Sequence, residues 1–257
     1  MRRLAKLLHH PQEGCLLGRT RIHLSCIDST NTWLINRPHL LQIEGLAVYA
    51  DEQTSGKGSK GRIWLSLPGR QLFCSIGLKP RLPSNRLPGL TLFLGAGVTL
   101  GLQRLGVSGI GLKWPNDVLL NDKKIGGLLC ETRQIEESRH VVAGIGLNLQ
   151  GRPTGDIAET ATSLEEAGYV ISLEEALNAV LGGLNEIYTH IQKGNTSNVL
   201  QLWRRHSHTL GKQVRVIAAG TADITGTAID VSENGGLLLK TKDGIAQVSY
   251  GSLFYLS

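Results

Sequence analysis

The chain has 257 residues, 41% hydrophobic and 19% charged, enough for one sizeable α/β core with a small appended domain. No apolar run is long enough to span a membrane and no export signal is evident, and neither the four cysteines nor the eight histidines are spaced for a disulfide frame or a zinc site; a cytoplasmic protein is expected. The net charge of +6 admits a nucleic acid, a nucleotide or an acidic protein as partner, and demands none of them.

Residues 1–20 read as an arm with room for one short helix. Ile22 to Ile27 alternates as a strand does and runs into Asp28-Ser29-Thr30-Asn31, a strand-to-helix junction. All four residue types cap helices by accepting a backbone N–H bond. Capping uses only one of them, which leaves the others able to hydrogen-bond a polar, uncharged ligand. Leu46 to Ala50 is a short buried strand. After it, Gln53 to Trp64 reads QTSGKGSKGRIW, where nothing can bury a core. Such a loop is either mobile or held by a ligand. Glycine N–H groups flanked by cations suit a phosphate or an adenylate, although neither the Walker nor the Rossmann spacing is present.

Gln71 to Lys79 is an apolar strand. Asn85 to Leu105 has helical spacing, and its Gly95, Gly97 and Gly101 point to close packing of that helix on a sheet. Residues 113–131, KWPNDVLLNDKKIGGLLCE, hold a hairpin: Asp117 to Leu120 and Ile125 to Leu129 are apolar runs joined by Asn121-Asp122-Lys123-Lys124. Ahead of it, Lys113 to Asp117 puts a cation, a large ring, a rigid φ and two polar groups at a strand end. Gly126-Gly127 lets another group approach the backbone. The same residues would also serve a plain core hairpin with a solvated lysine turn.

Val141 to Leu149 is a buried strand in which Asn148 needs a partner, either an adenine edge or a neighbouring loop. Leu173 to Ile191 is an amphipathic helix and Asn198 to His206 a shorter one. From about Gly211 the texture changes. Val214 to Ala218, Ala222 to Asp230, Gly236 to Lys240 and Ala246 to Ser249 are short strands separated by Asn234-Gly235, Asp243-Gly244 and other turns, the pattern of a small all-β barrel.

Five ordered stretches resemble the biotin–protein ligases: DSTN at 28–31, the 53–64 loop, KWPND with its K-I-G-G, GIGLN at 144–148 and ATSL at 161–164. The resemblance implies an α+β fold of the class II synthetase, biotin–lipoate ligase type: a mixed sheet flanked by helices, then an SH3-like C-terminal β-barrel. It divides the chain into an N-terminal arm (1–20), a catalytic domain (21–208) and the C-terminal domain (209–257). It also implies the single-function type, without an N-terminal DNA-binding domain. The implied reaction makes biotinyl-5′-AMP from biotin and MgATP, then passes biotin to a lysine of a biotin carboxyl carrier protein.

Residue by residue, the resemblance sets Ser29, Thr30, Asn31 and Gln53 on biotin. Gly56, Lys57, Gly58, Ser59, Arg62 and Trp64 belong to the loop that closes over biotin and its adenylate. Lys124 contacts the reacting carboxyl and the α-phosphate, and Lys113 is a second cation for phosphate. Asn116 and Asp117 serve adenine or ribose and organise Mg2+, Gly127 offers backbone to biotin, and Asn148 faces adenine. Lys57 and Ser59 depart from the family, which has arginines there, so weaker retention of the adenylate is expected. The usual arginine-ended tail is also missing from Gly251 to Leu256, so the family's contacts from that end to ATP or the carrier are not carried over. A homodimer built through the central sheet is compatible with the family. A lipoate or octanoate ligase of the same fold is the nearest alternative, and a nucleic-acid-binding regulator is the alternative from another class.

Overall fold

The computed structural model describes residues 6–9, 15–218 and 222–256. The first 20 residues contribute a strand where a short helix was expected: Lys6–His9 (β1) pairs antiparallel with Thr20–Leu24 (β2). Residues 1–5 and 10–14 of that arm lie outside the described residues.

The catalytic part is an eight-stranded mixed sheet. Besides β1 and β2 it holds Ala47–Ala50 (β3), Gln71–Leu78 (β4), Ile110–Lys113 (β5), Asp117–Leu120 (β6), Lys123–Ile135 (β7) and Ser138–Asn148 (β8). The spatial order is β1-β2-β3-β4-β8-β7-β6-β5, and only the β2–β3 pair is parallel. Thr30–Ile35 (α1) and Pro38–Leu41 (α2) cover one face. Leu90–Arg104 (α3), Leu173–Gln192 (α4) and Thr196–His206 (α5) cover the other.

The two-residue strand period sorts the central strands between these faces. On β4, Leu72, Cys74, Ile76 and Leu78 enter the large core under α3 and α4, while Phe73 and Ser75 turn the opposite way. On β8, Val141, Ala143, Ile145 and Leu147 join that core, and Gly144, Gly146 and Asn148 face opposite. Burial on both faces explains why β4 reads as an unbroken apolar run with no alternation.

Two expectations change. The hairpin loop is Asn121-Asp122 alone, both at positive φ (49° and 69°), because Lys123 already pairs with Leu120 and β7 runs on to Ile135. Gly97 and Gly101 admit a second helix, not a sheet: a Cβ on Gly101 would meet the Ala179 carbonyl oxygen of α4 at 2.4 Å. Only Gly95 faces the sheet, towards Leu112 and Leu128.

The C-terminal sheet is antiparallel, in the order β12-β11-β10-β9-β13, from Gln213–Ile217 (β9), Ile224–Val231 (β10), Leu237–Thr241 (β11), Gly244–Val248 (β12) and Ser252–Tyr255 (β13). The last strand has no counterpart in the sequence reading. The tryptophan of KWPND ties the two sheets together. Trp114 is buried, its Nε1 donates to the Gly235 carbonyl at 2.9 Å, and its backbone N donates to Thr209 Oγ1 at 3.0 Å. Arg204 adds a two-pronged contact to Asp230, at 2.7 and 3.2 Å.

Candidate active site

The strand faces turned away from α3 and α4 form the floor of a cavity of about 600 Å³. Its roof is the 53–64 loop, and Tyr255 of β13 closes one side. Every expected site residue lines this cavity except Gly56, which is enclosed within the loop by Gln53 Nε2 and Trp64.

At one end stand neutral hydrogen-bonding groups. Ser29 is the N-cap of α1, its Oγ accepting from Thr32 N at 3.4 Å. Thr30 N donates to Gln53 Oε1 at 2.8 Å. Ser75 Oγ lies 2.6 Å from Asn31 Oδ1 and 2.7 Å from Thr30 Oγ1. The Asn31 oxygen can only accept, so the single Ser75 proton goes there. Asn31 Nδ2 in turn donates to the Leu129 carbonyl and to Glu131 Oε2, at 3.1 and 2.8 Å. Asn31 is thus held from both sides. The Gln53 amide oxygen is engaged by Thr30, and Gln53 Nε2 lies beside Gly56.

Trp64 occupies the middle. Its ring lies over Gly127 and Gly146, where a Cβ would come within 3.2 and 2.9 Å of it, and its buried Nε1 has no acceptor among the described residues. The loop that carries it is tied by its own backbone: Trp64 N donates to Gly56 O and Gly58 N to Arg62 O, at 2.8 and 2.7 Å. At the tip, Lys60 takes a left-handed φ of 60° and its Nζ donates to Ser252 Oγ of the C-terminal sheet at 2.7 Å.

The cations gather at the other end. Lys124 Nζ is 2.6 Å from Asp117 Oδ1 and 5.4 Å from the Trp64 ring centroid. The contact with Asp117 is an ion pair on a buried oxygen. Lys113 sits over Tyr255, and burial pushes its pKa down; Asp117 opposes this shift, while Lys124, Arg62 and Lys212 add to it. Arg62 is steered by Ser59, donating from Nη2 to its Oγ at 2.9 Å and from Nε to its carbonyl at 3.2 Å.

Besides Asn31, two more expected ligand-facing amides have protein partners. Asn116 Nδ2 donates to the Leu128 carbonyl at 2.8 Å, which stitches the KWPND corner to β7. Asn148 accepts from Gln71 Nε2 at 2.8 Å and donates to the Thr162 carbonyl at 2.9 Å, so the neighbouring loop supplies its partner.

Sequence reasoning missed Ser75, Gln71 and Glu131, which hold Asn31 and Asn148 from behind. Ser75 had one signal: a hydroxyl inside an apolar strand must find a partner. It also missed Tyr255. With the family's arginine missing, no contact is carried over to this tail, and β13 brings the Tyr255 side chain to the cavity wall.

The comparisons with known proteins agree with this architecture. Residues 24–148 match the biotin/lipoate A/B protein ligase family, and residues 209–254 match the biotin protein ligase C-terminal domain. The bifunctional ligase/repressor BirA of Bacillus subtilis is 32% identical over 240 residues, covering 91% of this chain and 73% of that protein. A biotin–[acetyl-CoA-carboxylase] ligase of Mycobacterium tuberculosis is 32% identical, covering 89% of this chain and 86% of that one. Among solved structures, the biotin protein ligase from Aquifex aeolicus in complex with biotin and ATP superposes with a TM-score of 0.76 at 29% identity, over 92% of this chain and 98% of that one. With both family models matched in order and the likeness running nearly end to end, this chain belongs to the biotin–protein ligases.

Proposed function

We propose that this chain is an ATP-dependent biotin–protein ligase in which the neutral end of the cavity takes the biotin ring and the cationic end takes the reacting carboxylate and the phosphates. The observation that carries this reading is the order along β7 and β8. Asn31 stands over Gly144, Trp64 over Gly146 and Gly127, and Lys124 beyond Trp64 beside Asp117. A ligand with a polar uncharged head, an apolar body and an anionic end meets matching chemistry at each step.

In the first half-reaction a biotin carboxylate oxygen attacks the α-phosphorus of ATP. The bond from the α-phosphorus to the bridging oxygen breaks, and its electron pair leaves on pyrophosphate. Negative charge on both partners has to be offset as they meet, and Lys124, Lys113 and Arg62 supply fixed positive charge there. In the second half-reaction the ε-amine of an acceptor lysine on a biotin carboxyl carrier protein attacks the acyl carbon. AMP leaves, and the amine loses a proton to solvent. Acyl transfer through a mixed anhydride needs no covalent nucleophile from the protein.

The residues present also fit Mg2+. Among the described residues no group of three or more His, Cys, Asp or Glu could hold a metal alone, but Asp117 brings one carboxylate to the cavity, paired through Oδ1 with Lys124. One carboxylate suits an ion that keeps water and phosphate oxygens as its other ligands. When bound, Mg2+ would neutralise phosphate charge.

ATP–pyrophosphate exchange with the purified chain, comparing biotin with lipoate and octanoate, tests the assignment. Exchange with biotin alone is expected. Exchange driven by lipoate or octanoate instead would move the chain to the other branch of the family.

A further inference from the structure

Asn31 lies in a slot built by three neighbouring strands. Ser75 on β4, Gly144 on β8 and Leu129 on β7 form one row across the sheet. The carboxamide rests on the middle residue, where a Cβ would meet Asn31 Oδ1 at 2.2 Å. From one side Ser75 Oγ reaches that oxygen at 2.6 Å. On the other side Nδ2 donates to the Leu129 carbonyl at 3.1 Å and to Glu131 Oε2, further along β7, at 2.8 Å. A carboxylate is thus turned towards an uncharged amide behind the cavity wall.

The direction of each hydrogen bond here is forced. A carbonyl and a carboxylate only accept, so the Asn31 nitrogen must face Leu129 and Glu131, and both its protons are spent there. The Asn31 oxygen takes the Ser75 proton. Ser75 has no second one, so its 2.7 Å contact with Thr30 Oγ1 requires Thr30 to donate. Gln53 Oε1, 3.1 Å from the same hydroxyl, is already supplied by Thr30 N. Thr30, Ser75, Asn31 and Glu131 therefore form a one-way chain that ends on a carboxylate, and each bond in it polarises the next. Thr30 and Asn31 line the cavity, and the chain leaves them only lone pairs to offer it. A head group with N–H donors, such as a ureido ring, satisfies that wall. An alkyl or dithiolane end has none and only strips water from the two oxygens.

We propose that Glu131, together with Ser75, holds Asn31 as a pure acceptor and so sets the preference of the cavity for a ureido head group over a lipoyl or octanoyl chain. Asn31 is the binding group, and Glu131 and Ser75 are positioning residues. The inference deepens the ligase reading above and rests on it.

Glu131→Met fills the same space without an oxygen acceptor, and Glu131→Gln keeps one in its amide oxygen. Calorimetric titration of biotin into the full chain should show binding about ten-fold weaker in Glu131→Met, the loss of one charge-assisted hydrogen bond, and most of it regained in Glu131→Gln. The KM for ATP, whose phosphates meet the cationic end, should stay within about two-fold. Ser75→Ala should weaken biotin by a similar factor. The double variant should lose less than the product of the two, since both act through one amide. Octanoate should displace more biotin from Glu131→Met than from the unmodified chain, because its own binding does not use the chain of hydrogen bonds. Wild-type biotin affinity in a folded Glu131→Met would overturn the proposal. So would a Glu131→Gln as weak as Glu131→Met, an ATP KM that rises with the biotin Kd, or octanoate displacement that does not increase. If Glu131→Met does not fold, wild-type biotin affinity in Ser75→Ala overturns it instead. An unmodified chain that binds no biotin fails the ligase reading itself, whereas variants that match a biotin-binding wild type fail this proposal alone.

Discussion

The Trp64 indole rests on Gly146, so closely that a Cβ there would stand 2.9 Å from two ring carbons. The β8 backbone cannot yield, because β4 and β7 pair with it on both sides. Gly146→Ala must therefore displace the ring, and with it the loop over the cavity. Overpacking of this kind costs about 1–3 kcal/mol, which predicts biotin binding weakened by about ten-fold. Calorimetric titration of biotin measures it. An unchanged Kd would mean that Trp64 can leave the glycine floor at no cost to the ligand.

Lys124 is the cation next to both Asp117 and Trp64, and its backbone is pinned by Thr160 and Thr162. Lys124→Met keeps the length of the side chain and removes its charge. Biotin-dependent ATP–pyrophosphate exchange should slow by about 100-fold or more, the scale seen when one preorganised electrostatic contact is lost. Exchange within about three-fold of the unmodified chain would assign that role to another cation.

The Ser59 hydroxyl accepts from Arg62 at the roof of the cavity, at the position where the family resemblance leads one to expect an arginine. Ser59→Arg adds a cation to the roof of the cavity and should slow dissociation of biotinyl-5′-AMP by about ten-fold, the worth of one charge-assisted hydrogen bond. Ser59→Ala frees the guanidinium and should speed dissociation. A chase of labelled adenylate reads both rates. The same rate in Ser59→Arg as in the unmodified chain would refute the link between this position and retention.

His140 is buried on β8, its Nδ1 has no hydrogen-bond partner among the described residues, and burial together with Lys79 holds its pKa below the ordinary value. Burial lowers His206 and His208 in the same way. The unfolded chain therefore binds more protons than the folded one once pH drops below about 6.5, the free imidazole value. Stability from these groups is complete above that pH and is lost as pH falls through the lower folded values. The thermal midpoint should decline as pH falls below about 6.5, and the decline should be shallower in His140→Gln. Equal slopes would show that His140 does not titrate in that window.

Much of the site was legible because its parts are local. The DSTN corner, the glycine–lysine loop and the KWPND hairpin each occupy a short run whose residue types already state a preference for caps, anions or tight turns. The supporting groups were not legible in this way. Ser75 and Glu131 are polar residues with no motif around them, and their partner Asn31 lies 44 and 100 residues away. Asn116 and Asn148 show the converse. Both sit in recognisable motifs, yet their amides bond to the protein's own carbonyls and to Gln71.

By itself the sequence determined the succession of elements, since hydrophobic period and turn residues act within a few positions, and it carried the family motifs. Only the tertiary structure decided which face of each strand meets the cavity, because a single-residue change in register exchanges the two faces. It alone brought Tyr255 and Lys212 to Lys113. That meeting depends on Trp114, whose buried Nε1 must find an acceptor and finds it in the Gly235 carbonyl, across the junction of the two sheets.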